Sequence, residues 1–163
     1  MDAIVAVYSD WGIGCGGTQP IVVKEDRKHF REITGSAAVL VGRRTLADFP
    51  GGRPLRGRRN IVLTRSKLSI PGAETAADVE AALALVRDEP QVFVIGGESV
   101  YCAMLPYVDR VYVTKIDACP HSDAFFPNLD ADAGWTITER GEEKEQDGLR
   151  YSFMTYERVG EGD

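Results

Sequence analysis

Four short runs of aliphatic and β-branched residues, AIVAVYS (3–9), AAVLVG (37–42), RNIVLT (59–64) and QVFVIGG (91–97), read as strands. They carry little of the in–out alternation of a half-exposed strand, which is the pattern of strands covered on both faces. A fifth run, DRVYVTKID (109–117), reads as a further strand. Helical patterns separate them. Residues 24–34 form one helix, ended by Gly35, and a short helix starts after Gly42 and stops before Pro50. AADVEAALALVRD (76–88) is an Ala-rich amphipathic helix, and ESVYCAML (98–105) is a helix stopped by Pro106. The pattern changes after residue 117. GWTITER (134–140) and LRYSFMTYERV (149–159) alternate with period two around the polar turn GEEKEQDG, which predicts an antiparallel hairpin. The chain is therefore expected to be α/β, with a mostly parallel sheet, helices on both faces and a C-terminal antiparallel hairpin. Sheets of this kind bind ligands beyond the carboxyl ends of their strands.

A length of 163 residues, 44% of them apolar and 27% charged, fits one soluble domain with a sizeable core. No apolar run approaches the ~18 residues of a membrane span. The first strand begins too early to leave room for a signal peptide. Cys15, Cys102 and Cys119 show no CxxC spacing, and His29 and His121 do not complete a zinc site with them. A reduced, cytoplasmic protein without metal is expected.

The net charge of −6 argues against nucleic acid. Yet eight of the nineteen basic residues lie between Arg43 and Lys67, opposed only by Asp48. Arginine forks match phosphate and carboxylate, so this stretch reads either as a solvated basic face or as a site for an anionic small molecule.

GIGCGG (12–17) formally matches G-x-G-x-x-G, but the chain wanders on through Thr18, Gln19 and Pro20 instead of entering a helix. It is better read as a long, flexible loop over a ligand site. VIGGES (94–99) is the better anion site, because a buried strand leads through Gly96-Gly97 into a helix whose first turn holds Glu98 and Ser99. GRRT (Gly42, Arg43, Arg44, Thr45) and LTRS (Leu63, Thr64, Arg65, Ser66) place guanidinium and hydroxyl donors at two further strand ends. Together these suggest a long, multiply charged cofactor such as NADPH.

PIVVKEDRKHF (20–30) contains an acid in an odd place. At ~100° per residue, Asp26 falls on the same helical stripe as Val23, Phe30 and Ile33. Its carboxylate points to the apolar side, although Lys24, Arg27, Lys28 and Arg31 lie nearby.

IVAVYSDWGIG, VGRRT, GRPLRGRRNIVLT, VIGGESVY, YVTKID and FFP, in that order and spacing, make the chain resemble the dihydrofolate reductase family from about Ala3 to Arg158. The resemblance implies a single-domain dihydrofolate-reductase-like fold over residues 1–159, with a central eight-stranded sheet, and a flexible tail at 160–163. It implies reduction of 7,8-dihydrofolate to 5,6,7,8-tetrahydrofolate by hydride from NADPH, in support of one-carbon metabolism and thymidylate and purine synthesis. It also implies binding of antifolate inhibitors. A monomer is expected, since no exposed apolar stripe stands out.

Residue by residue, Asp26 matches the family's active-site carboxylate, Phe30 the aromatic that packs on substrate, and Thr114 the threonine that bonds the acid. Arg58 matches the arginine for the glutamate tail, and Leu55 lines the same channel. Ile4, Val5, Ala6 and Ile95 match positions around the pterin and nicotinamide, and Ile13 and Gly14 the loop that covers the nicotinamide. Gly42, Arg43, Arg44, Thr45, Leu63, Thr64, Arg65 and Ser66 match the adenosine end and its 2′-phosphate. Gly96, Gly97, Glu98, Ser99, Val100 and Tyr101 match the pyrophosphate turn. Four positions depart from the pattern. Gln19-Pro20-Ile21 stands where the family has Leu-Pro-Trp. Arg27 replaces an apolar residue and is expected to reach solvent. Arg56 replaces a common proline, and His29 is expected at the surface with no role. A related reductase for another pterin or a riboflavin-pathway pyrimidine, or a nucleotide-binding module without turnover, are the rival readings.

Overall fold

The computed structural model describes residues 1–160; the last three residues of the expected tail, 161–163, lie outside the described residues. In chain order the elements are β1 (Asp2–Val7), β2 (Gly12–Gly14), α1 (Lys24–Thr34), β3 (Ala38–Gly42), α2 (Arg43–Ala47), β4 (Asn60–Leu63), β5 (Glu74–Ala76), α3 (Val79–Leu85), β6 (Val92–Val94), α4 (Glu98–Met104), β7 (Arg110–Ile116), β8 (Ala124–Phe125), β9 (Trp135–Arg140), β10 (Lys144–Gln146) and β11 (Leu149–Arg158). Among the described residues, no helix is long and apolar enough to cross a membrane.

The main sheet is eight strand positions wide in the order β10-β11-β7-β1-β6-β3-β4-β5, and β9 extends the edge next to β11. From β7 to β5 the neighbours are parallel; β11 runs antiparallel to β7. The chain starts in the centre at β1, builds outward through β3, β4 and β5, and returns to insert β6 between β1 and β3. That reversal puts the topological switch at the carboxyl ends of β1 and β6, where such sheets open a crevice.

Strand alternation sorts the core onto two faces. Ala3, Val5 and Val7 pack with Ala82 of α3 and with Val100, Tyr101 and Met104 of α4. On the other face Ile4 packs with Val39, Val41 and Phe93, the α2 residue Leu46, and Phe30 and Ile33 of α1. Ala6 and Tyr8 continue that face with Val23, Ile116 and Tyr151. The switch crevice thus lies between α1 on one face and α4 on the other.

Three features differ from the sequence expectation. The helix expected over 76–88 is confined to Val79–Leu85, because Glu74–Ala76 pairs with β4 as a parallel edge strand and Asp78 caps the helix, accepting from the Ala81 amide at 2.8 Å. The segment expected as a polar turn contains β10. The reversal is the two-residue Asp147-Gly148 turn, with φ of 52° and 81°, which is the left-handed pair that tight hairpins need. Finally, β2 pairs with β8 in a small second sheet, so the Gly-rich loop is docked on residues 124–125.

Candidate active site at the carboxyl ends of the central strands

The acid is placed by α1. Val23, extended and 1% exposed, anchors the helix start in the core, and its carbonyl accepts from the Asp26 amide at 3.0 Å. Glu25 and Asp26 occupy the first turn, where the helix dipole favours acids. Across from α1, the register sets Ala6 of β1, Thr114 of β7 and Phe153 of β11 side by side. The buried Thr114 hydroxyl donates to Asp26 Oδ1 at 2.5 Å. Burial raises the pKa of the Asp26 carboxyl above the usual aspartate value, and donation from Thr114 and the nearby His29 oppose that rise. His29, one turn away, is half-buried and stacks on Phe153 with ring centroids 3.9 Å apart, which is not the surface position expected of it. Its burial lowers its own pKa, against the pull of Asp26 and Glu32. Arg27 and Arg56 are exposed, as expected of long basic side chains.

The apolar wall beside Asp26 is formed by Ile4, Ile95, Phe30 and Leu55, with Leu46 and Phe49. Val5 points to the opposite face and offers this crevice only its backbone. Arg58 is held at the rim. Its Nη1 donates to Thr34 Oγ1, that hydroxyl donates to the Phe30 carbonyl at 2.7 Å, and the guanidinium lies 5.7 Å from the Phe30 ring centre. Residue Asn60, which the sequence reading passed over, builds the turn carrying Leu55 and Arg58. Its buried amide accepts from the Leu55 N–H at 3.0 Å and donates to the carbonyls of Leu55 and Arg58 at 2.9 and 3.0 Å. An Asn opening a strand directly after a Gly-x-x turn was the available signal.

On the other side of the crevice, the Gly42 amide donates to the Gly96 carbonyl at 2.7 Å, closing β3 against the Gly96–Gly97 turn. The Gly96–Gly97 peptide is cis. A Cβ at Gly97 would sit 2.8 Å from Thr45 Oγ1, and one at Gly96, which has φ +130°, would sit 3.3 Å from Thr45 Cγ2. The turn therefore exposes bare backbone next to a hydroxyl, a cradle that side chains would fill. Tyr101 pins α4 across the sheet through its buried hydroxyl, which donates to the Ile4 carbonyl at 2.6 Å. Parallel pairing sets Gly42 opposite Leu63, so GRRT and LTRS adjoin. Arg43 Nη1 donates to Ser66 Oγ at 3.2 Å, and the Ser66 amide donates to Thr64 Oγ1 at 3.2 Å. Arg43, Arg44 and Arg65 are exposed and make no salt bridge among the described residues. Leu63, Val100 and Ile13 contribute to the core beneath the crevice. Ser99 is exposed. The Glu98 carboxylate turns away to accept from the Phe125 amide at 2.5 Å.

The Gly-rich loop is tied to the stretch 123–125. Gly14 accepts from the Asp123 amide at 2.9 Å, and the Asp123 carboxylate accepts from the Gly16 amide at 3.0 Å. Among the described residues no cluster of His, Cys, Asp or Glu could hold a metal.

The family model described as dihydrofolate reductase matches residues 1–158. The chain is 37% identical over 158 residues to the dihydrofolate reductase of Staphylococcus haemolyticus, covering 96% of this chain and 94% of that protein. It is 42% identical over 155 residues to the dihydrofolate reductase of Mycobacterium tuberculosis, covering 90% of each. It is 38% identical over 149 residues to the type 3 dihydrofolate reductase of Salmonella typhimurium, again covering 90% of each.

Proposed function

The chain belongs to the dihydrofolate reductase family, and we propose that Asp26, Thr114 and the Gly96–Gly97 turn are the parts with which it reduces 7,8-dihydrofolate to 5,6,7,8-tetrahydrofolate, taking hydride from NADPH. The observation that carries this assignment is the Thr114–Asp26 hydrogen bond, made where the carboxylate faces an apolar wall.

A pterin presents its 2-amino group and a ring nitrogen as a donor pair, and a carboxylate is the matching two-point acceptor. Thr114 occupies Oδ1 and leaves Oδ2 open to the crevice. The acid must sit among apolar side chains, because the flat ring it orients is apolar on both faces. The same burial that raises its pKa lets Oδ2 keep a proton to higher pH than an exposed aspartate would, which favours protonation of the bound ring through a water. Phe30 and Ile95 supply the walls that hold the ring, and Arg58 is the cation for the carboxylate of the tail. An arginine there has no use with pterins or pyrimidines that lack an acidic tail. Antifolate inhibitors with the same donor pair would meet the same acceptor.

The residues present fit NADPH. The bare Gly96–Gly97 backbone beside Thr45 suits a pyrophosphate, and the exposed arginines of GRRT and LTRS suit the adenosine end and its 2′-phosphate. When bound, the cofactor supplies the hydride. The chain's part is to place two rings in contact and exclude water.

The test is loss of NADPH absorbance with purified protein and 7,8-dihydrofolate, beside Asp26→Asn. Turnover that vanishes in the variant is expected. NADPH binding without turnover in the unaltered protein would sink the substrate assignment.

A further inference from the structure

The segment just before α1 stands where the family places its loop tryptophan, and here it carries Ile21. A single hydroxyl holds it. Tyr8 Oη donates to the Ile21 carbonyl at 2.7 Å and accepts from the Ile21 amide at 3.0 Å. Among the described residues, these are the only hydrogen bonds tying the backbone of residues 19–22 to the rest of the protein. The phenol itself is fixed. Tyr8 is 3% exposed and packs with Ala6, Val23, Ile116 and Tyr151. A buried residue at the carboxyl end of β1, just past the strand, thus grips both polar groups of one loop residue, five positions ahead of Asp26. The first half of the loop is tied separately, through the β2–β8 pairing and Asp123.

We propose that Tyr8 is a positioning residue for the reaction: its buried hydroxyl clamps Ile21 and so fixes the second half of the covering loop beside the Asp26 pocket. The proposal rests on the functional reading above for what the loop covers, but not for the clamp itself. With the clamp broken, residues 19–22 keep only apolar contacts and sample open positions, and water reaches the reacting rings more often. Binding of the cofactor, which the Gly96–Gly97 turn and the arginine clusters provide, is untouched.

The test is Tyr8→Phe, which keeps the buried ring and removes only the hydroxyl, with Tyr151→Phe as a control. Tyr151 lies in the same cluster and makes no hydrogen bond with residues 19–22. Three quantities are read: exchange of the Ile21 amide, the single-turnover rate of hydride transfer, and the affinities for NADPH and dihydrofolate. In Tyr8→Phe, Ile21 exchange is expected to speed up by about tenfold or more and hydride transfer to slow by roughly three- to tenfold. Both affinities should stay within about twofold, as should every quantity in the control. Unchanged Ile21 exchange overturns the proposal. So does faster exchange with an unaltered rate, and so does a parallel loss of rate, both affinities and melting temperature. If the unaltered protein itself fails to turn over dihydrofolate, the functional reading falls, and Ile21 exchange alone then decides the clamp.

Discussion

Replacing Asp26 by Asn should stabilise the protein while disabling it. The folded-state pKa of Asp26 is raised above the ordinary 3.8, with burial the largest cause. A carboxyl with a raised folded-state value destabilises the fold as it ionises. The cost begins as pH rises past the unfolded value, grows up to the folded value and is constant above it. At neutral pH the whole cost is present, at about 1.4 kcal/mol for each tenfold change in proton affinity. Asn removes it. The Thr114 hydroxyl can still donate to Asn Oδ1, so the charge-assisted bond of about 1.5–3 kcal/mol becomes a neutral one of about 1 kcal/mol. The raised pKa already nets burial against that donation, so the balance favours Asn and Tm at pH 7 should rise.

Function moves the other way. Asn offers an NH₂ towards the crevice, where the pterin also presents donors, and it has no titratable proton to pass on. A loss of roughly 10²- to 10⁴-fold in turnover at pH 7 follows from the acid–base part alone. Thermal unfolding at pH 7 and pH 4 would be recorded beside steady-state rates. The stability gain should be present at pH 7 and shrink towards pH 4, as Asp26 regains its proton in the folded state before the unfolded one. A variant that is less stable at pH 7, or that keeps its turnover, would refute the reasoning.

Thr114→Val keeps the shape of a buried side chain but removes the donor that holds the Asp26 pKa down, so the pH at which hydride transfer falls off should move upward; a rate–pH profile that stays in place argues against the contact. Gly97→Ala places a methyl 2.8 Å from Thr45 Oγ1 and should weaken NADPH by about tenfold or more, measured by fluorescence titration. Arg65→Ala should weaken NADPH by about tenfold more than NADH, since only the former carries the 2′-phosphate; equal weakening would remove Arg65 from that role.

The strands of the sheet were legible because strands buried on both faces must be apolar throughout, and no other element of that length needs to be. Asp26 was legible for the converse reason: a carboxylate on an apolar stripe has to be explained. Elements held by partners distant in sequence were not legible. Glu74–Ala76 carries only three residues and becomes a strand because Ile61–Leu63 offers it an edge. The stretch Gly12–Gly14 has almost no side chain to show a preference and becomes a strand only against Ala124–Phe125. The Asp147-Gly148 signal was present, but a run of charges around it hid a strand of three residues. His29 reads as polar from sequence, yet the register that brings Phe153 next to Thr114 gives the imidazole a ring to stack on. Asn60 and Tyr8 act through hydrogen bonds to backbone, which depend on where the chain passes and leave no pattern in residue type.

On the proposed assignment, the same topology lets one site hold an acid for the substrate and a bare turn for the cofactor. Because β6 is inserted last, between β1 and β3, the connections that leave β1 and β6 are adjacent but depart to opposite faces. The connection from β1 ends in α1 and brings a side chain, Asp26, against an apolar wall. The connection from β6 is Ile95 followed by two glycines, which bring backbone. Burial raises a carboxylate's proton affinity, and N–H groups reach a pyrophosphate best where side chains do not intervene. Exchanging these requirements between the two connections would expose the acid to an anion and block the turn. The strand order therefore does more than create a crevice: it brings the acid and the bare turn to it from opposite faces of the sheet, which keeps the two proposed chemistries apart.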